Sequence, residues 1–161
     1  QAIRGFLLNQ TTPLCPEAEL LLFAADRAQH FYEVIKPSLS RGAIVISDRS
    51  GDSSIVYQGY GRNLDVNMII TTNRWVMHNQ EPQATFYLKI SPAKALDRIK
   101  KRNIPLTSFE QKQKTFMETV SQGFDTLYAN RNNVCILDAT QSPEQLIEQA
   151  YEYLTPLLAT T

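Results

Sequence analysis

From Pro16 to Gly42 the residues Leu20, Phe23, Ala24, Phe31, Val34 and Ile35 fall near helical spacing, with Arg27 in the same progression. Steps of three and four residues are the signature of one helix face, so this stretch predicts a long helix. Pro16 suits its first turn, and Gly42 comes after its end. The pattern then changes, because Ala43 to Ile46 is a short, largely β-branched apolar run. Such a run predicts a strand over 43–47, buried on both faces. The next stretch, SDRSGDSSIVYQGYGR, is polar and punctuated by glycine, and reads as a turn region. Helical spacing returns in LDVNMIITTNRWVMH (64–78), and ATFYLKI (84–90) reads as a strand. SPAKALDRIKKR (91–102) predicts a helix with Ser91 as cap and Pro92 at its first position. FEQKQKTFMETVSQGFDTLYANR (109–131) is amphipathic, NVCILDA (133–139) is a buried strand, and SPEQLIEQAYEYLTPLL (142–158) is a helix capped at Ser142.

Strands separated by helices imply an α/β fold with a parallel sheet. Only three strands are evident, fewer than a doubly wound sheet usually carries. The chain also opens inside an apparent helix, QAIRGFLLN, with neither a cap nor a strand before it. The expectation is a fold whose N-terminal strand or strands are missing from these residues. With 161 residues, no repeat and no linker, a single domain over 1–161 is expected.

Composition narrows the partners. Sixteen basic and sixteen acidic residues cancel, which argues against a nucleic-acid partner held by a strongly basic face but leaves room for a local anion pocket. Cys15 and Cys135 match no paired metal-ligand spacing, and no metal site is expected from them. The first residues lack a signal peptide's apolar core, and no apolar run approaches the ~20 residues of a membrane span. A reduced, cytoplasmic setting without membrane contact is expected.

Phe23 and Arg27 stand one helical turn apart on one face. An aromatic plane beside a planar donor fork suits a nucleobase, stacked on the ring and hydrogen-bonded at a carbonyl edge. The plainer alternative makes Phe23 core and Arg27 a solvated helix charge. Asp48 and Arg49 follow the 43–47 segment, where ligands gather beyond strand ends in α/β sheets. Their arrangement fits a phosphorylated small molecule, or else a surface ion pair. Tyr57, Gln58 and Tyr60 belong to the same rim or to an ordinary loop.

The stretches LLLFAADRAQH, VISDRSGDSSIVYQGYGRNLD and LDATQSPEQL closely resemble bacterial thymidylate kinases, and the match runs nearly end to end. The resemblance implies a three-layer parallel α/β fold of the P-loop nucleoside monophosphate kinase class, with ATP and Mg2+ as donor and cofactor and a second copy of the chain as partner in a homodimer. It implies that Phe23 stacks on thymine, that Arg27 bonds O4, and that Arg49 takes the dTMP phosphate. Ser53, Ser54, Tyr57 and Gln58 then contribute contacts to base and sugar, and Asp48 neighbours sugar, phosphate and metal. The tyrosine would disfavour a 2′-hydroxyl. Asp138, Ala139, Thr140 and Gln141 would lie beside the adenine of ATP. The apolar faces of the 16–36 and 64–77 helices are the candidate dimer surface.

Three departures from the family pattern stand out. Asp48-Arg49 is followed by Ser50 where this family usually has tyrosine, and Asp-Arg-Ser resembles the Asp/Glu-Arg-Ser of deoxynucleoside kinases. The lid, about 100–112, carries Thr107, Ser108, Phe109 and Glu110 where an Asp-Arg pair normally begins the motif, so a lid arginine is replaced. Lys100, Lys101 and Arg102 precede that point, with Arg102 the candidate catalytic substitute and a solvated helix end the alternative. No G-x-x-x-x-G-K-[ST] occurs, and none of the six glycines precedes a lysine. By the resemblance that loop would lie upstream of Gln1, and the sequence corresponds to the carboxyl-terminal three quarters or so of the family fold. The expectation is a dTMP kinase whose 161 residues taken alone bind nucleotide without turnover. A deoxynucleoside kinase, and an inactive nucleotide-binding or dimerising remnant, are the alternatives.

Overall fold

The computed structural model describes residues 3, 5, 13–101 and 114–159, and the chain divides into two compact units, Gln1–Glu81 and Pro82–Thr161. In the first, α1 (Pro16–His30) begins with proline in its opening turn, where a missing N–H costs nothing, and carries Glu17 and Glu19 near the positive end of its dipole. It continues through a π-helical turn, Phe31–Ile35, into α2 (Lys36–Ser40). The single helix expected from Pro16 onward is therefore continuous but widened at Phe31. Gly42 follows at φ 75°, a left-handed conformation that glycine adopts without a Cβ penalty.

Ala43 to Ser47, expected as a buried strand, joins no ladder. Ile44 is 72% exposed and Ile46 93%. β-branched residues favour extended backbone, but a strand exists only where a neighbour supplies its hydrogen bonds. Among the described residues, the first unit contains no strand.

The stretch read as a turn region is helical instead. α3 (Gly51–Ser54) runs into a π-helical segment, Ile55–Tyr60, whose Ile55, Val56, Gln58 and Gly59 are buried. The reason is packing against α4 (Val66–Val76). A Cβ on Gly51 would lie 3.0 Å from the Asn73 side chain, and one on Gly59 3.0 Å from Val66. Both glycines therefore act through close approach, not as turn residues. α4 starts at an N-cap absent from the expectation: the Asp65 carboxylate accepts from the backbone N–H groups of Asn67 (2.8 Å) and Met68 (3.3 Å). Leu20, Ala24, Phe31, Ile55, Val56 and Ile69 form the core of this unit.

In the second unit β1 (Thr85–Lys89) and β2 (Val134–Asp138) pair in parallel, with Thr85 opposite Val134 and Lys89 opposite Asp138. Both lie inside the strands expected from sequence. α5 (Pro92–Lys101) follows β1, α6 (Lys114–Tyr128) precedes β2, and α7 (Pro143–Leu158) closes the chain. An aromatic cluster joins sheet to helix: Tyr87 of β1 lies 5.5 Å from Phe124 and 5.3 Å from Tyr128 of α6, centroid to centroid. Such pairs add to the burial of the rings themselves. Elsewhere in this unit Val120, Leu137 and Ala139 are buried. The architecture is helix-rich α/β with a small parallel sheet, two-stranded among the described residues.

Candidate functional site

Glu19, Phe23 and Arg27 fall four residues apart along α1, which places them in one stripe. Arg27 is the centre of the arrangement. One terminal nitrogen donates to Asn73 Oδ1 of α4 and the other to Ser54 Oγ of α3, both at 2.6 Å. Burial lowers the Arg27 pKa from its usual value, opposed by the nearby carboxylates of Asp26 and Asp52. An arginine still keeps its charge, because its ordinary pKa is so high. The solvated-charge alternative for Arg27 does not describe it, since the guanidinium is partly buried and held in a fixed plane. Phe23, one turn earlier, is half-buried and stands outside the core.

Asn73 is 8% exposed, and its Nδ2 donates to the Gly51 carbonyl at 2.9 Å. A second buried polar group lies one turn of α1 before Phe23. Gln58, 2% exposed, donates through Nε2 to Glu19 Oε1 at 2.7 Å, and Arg62 donates to Glu19 Oε2 at 2.9 Å. Gln58 and Ser54, both expected to touch substrate, are thus engaged with side chains of α1.

Arg49 has φ 64°, a left-handed conformation uncommon outside glycine, and its side chain is exposed. Its guanidinium lies over the Tyr57 ring, 5.0 Å from the centroid. Among the described residues no ion pair joins Asp48 to Arg49, so the simple surface-pair alternative is not what the structure shows. Backbone strain at a solvent-facing arginine is a feature that functional sites tend to retain. Asp48 is exposed and Ser53 half-buried.

In the second unit, the segment after β2 is built by short-range hydrogen bonds and one backbone bond back to the end of β1. Asp138 Oδ1 accepts from the Thr140 backbone N–H at 2.9 Å, and the Ala139 N–H donates to the Lys89 carbonyl at 2.9 Å. The bond from Thr140 holds the Asp138 carboxyl below the usual range, with Lys94 and Arg98 adding smaller contributions. Ser142 and Gln145 cap α7 reciprocally. An open cavity of about 400 Å³ lies here, lined by Lys89, Ser91, Lys94, Ile136, Asp138 and Thr140 among others. Ala139 is buried and the Gln141 amide accepts from Gln149 at 2.6 Å, so of the four residues expected beside adenine only Asp138 and Thr140 line the cavity. Lys100 and Lys101 are exposed at the end of α5, whereas Arg102, Thr107, Ser108, Phe109 and Glu110 lie outside the described residues.

Sequence reasoning missed Glu19, Gly51, Arg62 and Asn73. A signal for two of them was available: Glu19 falls in the same stripe as Phe23, and Asn73 follows Ile69 by one turn on the buried face of α4. A polar residue in such a stripe must find a partner inside.

Helices alternating with parallel strands define the general class as α/β. The family model described as thymidylate kinase matches residues 1–150. The chain is similar to the thymidylate kinase of Halothermothrix orenii, at 40% identity over 151 residues, covering 92% of this chain and 72% of that protein. It is likewise similar to that of Nitratidesulfovibrio vulgaris, at 40% identity with 91% and 69% covered, and to that of Thermosipho africanus, at 38% with 92% and 73% covered. This chain belongs to the thymidylate kinase family.

Proposed function

We propose that this chain serves the transfer of the γ-phosphoryl group of ATP to dTMP, giving dTDP and ADP, as part of a nucleoside monophosphate kinase with a three-layer P-loop kinase fold formed as one domain, and that its 161 residues taken alone bind nucleotide without turnover. The observation that carries the reading within the chain is the Arg27 guanidinium, fixed by Asn73 and Ser54 one turn from Phe23. Its remaining N–H groups donate to thymine O4 while the base stacks on Phe23. A donor-only group favours thymine over cytosine, which presents an amino group at that position.

Arg49 draws the acceptor phosphate, and Tyr57, against its guanidinium, borders the sugar. Ser53 adds a polar contact, while Ser54 and Gln58 act through the α1 side chains they hold. One oxygen of the dTMP phosphate attacks the γ-phosphorus, and the new P–O bond forms as the bond to the ADP oxygen breaks, ADP leaving with the electron pair. Little covalent chemistry falls to the protein, so positioning and charge neutralisation carry the rate.

Magnesium bound with nucleotide phosphates needs only one or two carboxylates. The exposed Asp48 beside Arg49 fits that donor set, and among the described residues no group of three or more His, Cys, Asp or Glu offers a cage of protein ligands. Bound there, the ion would supply neutralisation of phosphate charge. Asp138 and Thr140 border the ATP base, and Arg102 or the lysines before it supply charge from the lid. The free Cys15 and Cys135 fit a reducing cytoplasm. Leu21, Tyr32 and Trp75, exposed on α1, its π turn and α4, fit a homodimer contact.

Calorimetric titration of dTMP and dCMP against the 161-residue chain tests the reading. Tighter binding of dTMP, lost in Arg27→Ala, is the expected result. Equal affinity for the two nucleotides in the unaltered chain would overturn it.

A further inference from the structure

Asn73 uses both ends of its amide. The oxygen accepts from Arg27 of α1 at 2.6 Å, and the nitrogen donates to the carbonyl of Gly51, the first residue of α3, at 2.9 Å. Ser54, three residues into the same short helix, accepts from the other terminal nitrogen of Arg27 at 2.6 Å. Gly51, Ser54, Asn73 and Arg27 therefore close a polar ring across α1, α3 and α4. The segment it ties down begins two residues after Arg49, which stands in a left-handed conformation. Only a group with an acceptor and a donor on one short side chain can make both links. The close approach also depends on Gly51, where a Cβ would lie 3.0 Å from Asn73 Nδ2 and 3.1 Å from Cγ.

We propose that Asn73 is a positioning residue that sets the plane of the Arg27 guanidinium for base selection and, through Gly51, holds the Arg49 segment for the acceptor phosphate. The proposal rests on the assignment of Arg27 and Arg49 to dTMP. Asn73 does not touch the nucleotide. An arginine anchored at one side only samples several planes, and a donor fork that rotates loses its preference for one base edge. A freed Arg49 segment, by contrast, weakens every nucleoside monophosphate alike, because all present the same phosphate. The two arms of the amide thus have separate readouts, the ratio of dTMP to dCMP affinity and the affinity common to both.

Two substitutions separate them. Asn73→Leu keeps the shape and removes both polar ends, and Asn73→Asp keeps the acceptor and removes the donor. Titrations of dTMP and dCMP, with thermal melts to confirm folding, are expected to show the dTMP preference falling about tenfold in Asn73→Leu, the size of a lost hydrogen bond to a charged group. Asn73→Asp is expected to keep the preference while binding both nucleotides more weakly. A preference unchanged in Asn73→Leu but lost in Arg27→Ala overturns the inference and leaves the dTMP assignment standing. Equal binding of dTMP and dCMP by the unaltered chain overturns both. Should Asn73→Leu not fold, Asn73→Asp decides alone, and wild-type affinity for both nucleotides in that variant overturns the link through Gly51.

Discussion

The two units of the chain build their candidate sites in opposite ways. In the first, long-range side-chain hydrogen bonds do the work: Arg27 to Asn73 and Ser54, Gln58 and Arg62 to Glu19, linking residues 27 to 46 positions apart in sequence. In the second, the side chains at Asp138–Ser142 bond to neighbours, Asp138 to Thr140 and Ser142 to Gln145, and the long-range link is a backbone bond from Ala139 to Lys89. The difference teaches where rigidity comes from. A buried polar network has only one satisfied arrangement, so it fixes side-chain planes but fails when any member is removed. A segment made of backbone turns and a cap tolerates the loss of one side chain, because water can replace the missing partner.

The most severe test of that contrast is Glu19→Ala. It leaves the buried Gln58 amide and the Arg62 guanidinium without their acceptor, and the expected cost is about 2–3 kcal/mol in urea unfolding. A loss below about 0.5 kcal/mol, the range of an ordinary surface change, would break the comparison. Phe23→Ala asks whether the polar stripe of α1 serves a ligand. Weakening of dTMP binding by about 1–3 kcal/mol is expected from lost stacking. If the affinity holds while stability drops, Phe23 is a packing residue and the stripe is structural.

For the second unit, Ser142→Ala removes the cap of α7 at an expected cost of about 1 kcal/mol, read from thermal melts. A larger loss than Glu19→Ala would reverse the ranking of the two regions. The smallest effect belongs to the exposed Asp138. Its pKa lies below the ordinary 3.8, so its contribution is complete above that pH and is lost as the pH falls through the lower, folded value. Acid unfolding curves of the wild type and Asp138→Asn are expected to diverge above that window and converge below it. Parallel curves throughout would remove the role of the carboxylate in ordering the turn.

Local chemistry was legible where it was sufficient. Pro16 and Pro92 at helix starts and the Ser142 cap follow from residue type and spacing, because each depends on neighbours within a few positions, and the strands over 84–90 and 133–139 follow from composition because each finds the other as its partner. The errors fall where a distant partner decides. Ala43 to Ile46 has strand composition, but composition cannot furnish the second strand. SDRSGDSSIVYQGYGR has turn composition, yet Gly51 and Gly59 serve close contacts with α4, and Ile55 and Val56 are pulled into the core as helix.

The candidate site divides along the same line. Phe23 and Arg27 are candidates from the spacing of an aromatic and a donor fork, and Arg49 from its place after the 43–47 segment, all three with a resemblance to the family whose model matches residues 1–150. The sequence by itself determined the family, the α/β alternation of the second unit and which residues carry charge and aromatic surface. Tertiary structure alone decided that Asn73, 46 positions from Arg27, accepts its hydrogen bond, that Glu19 answers Gln58 and Arg62, and that Arg49 lies against Tyr57. The physical reason is burial. A polar atom removed from water must find a partner, and which partner it meets is set by how the helices pack, which no local pattern encodes.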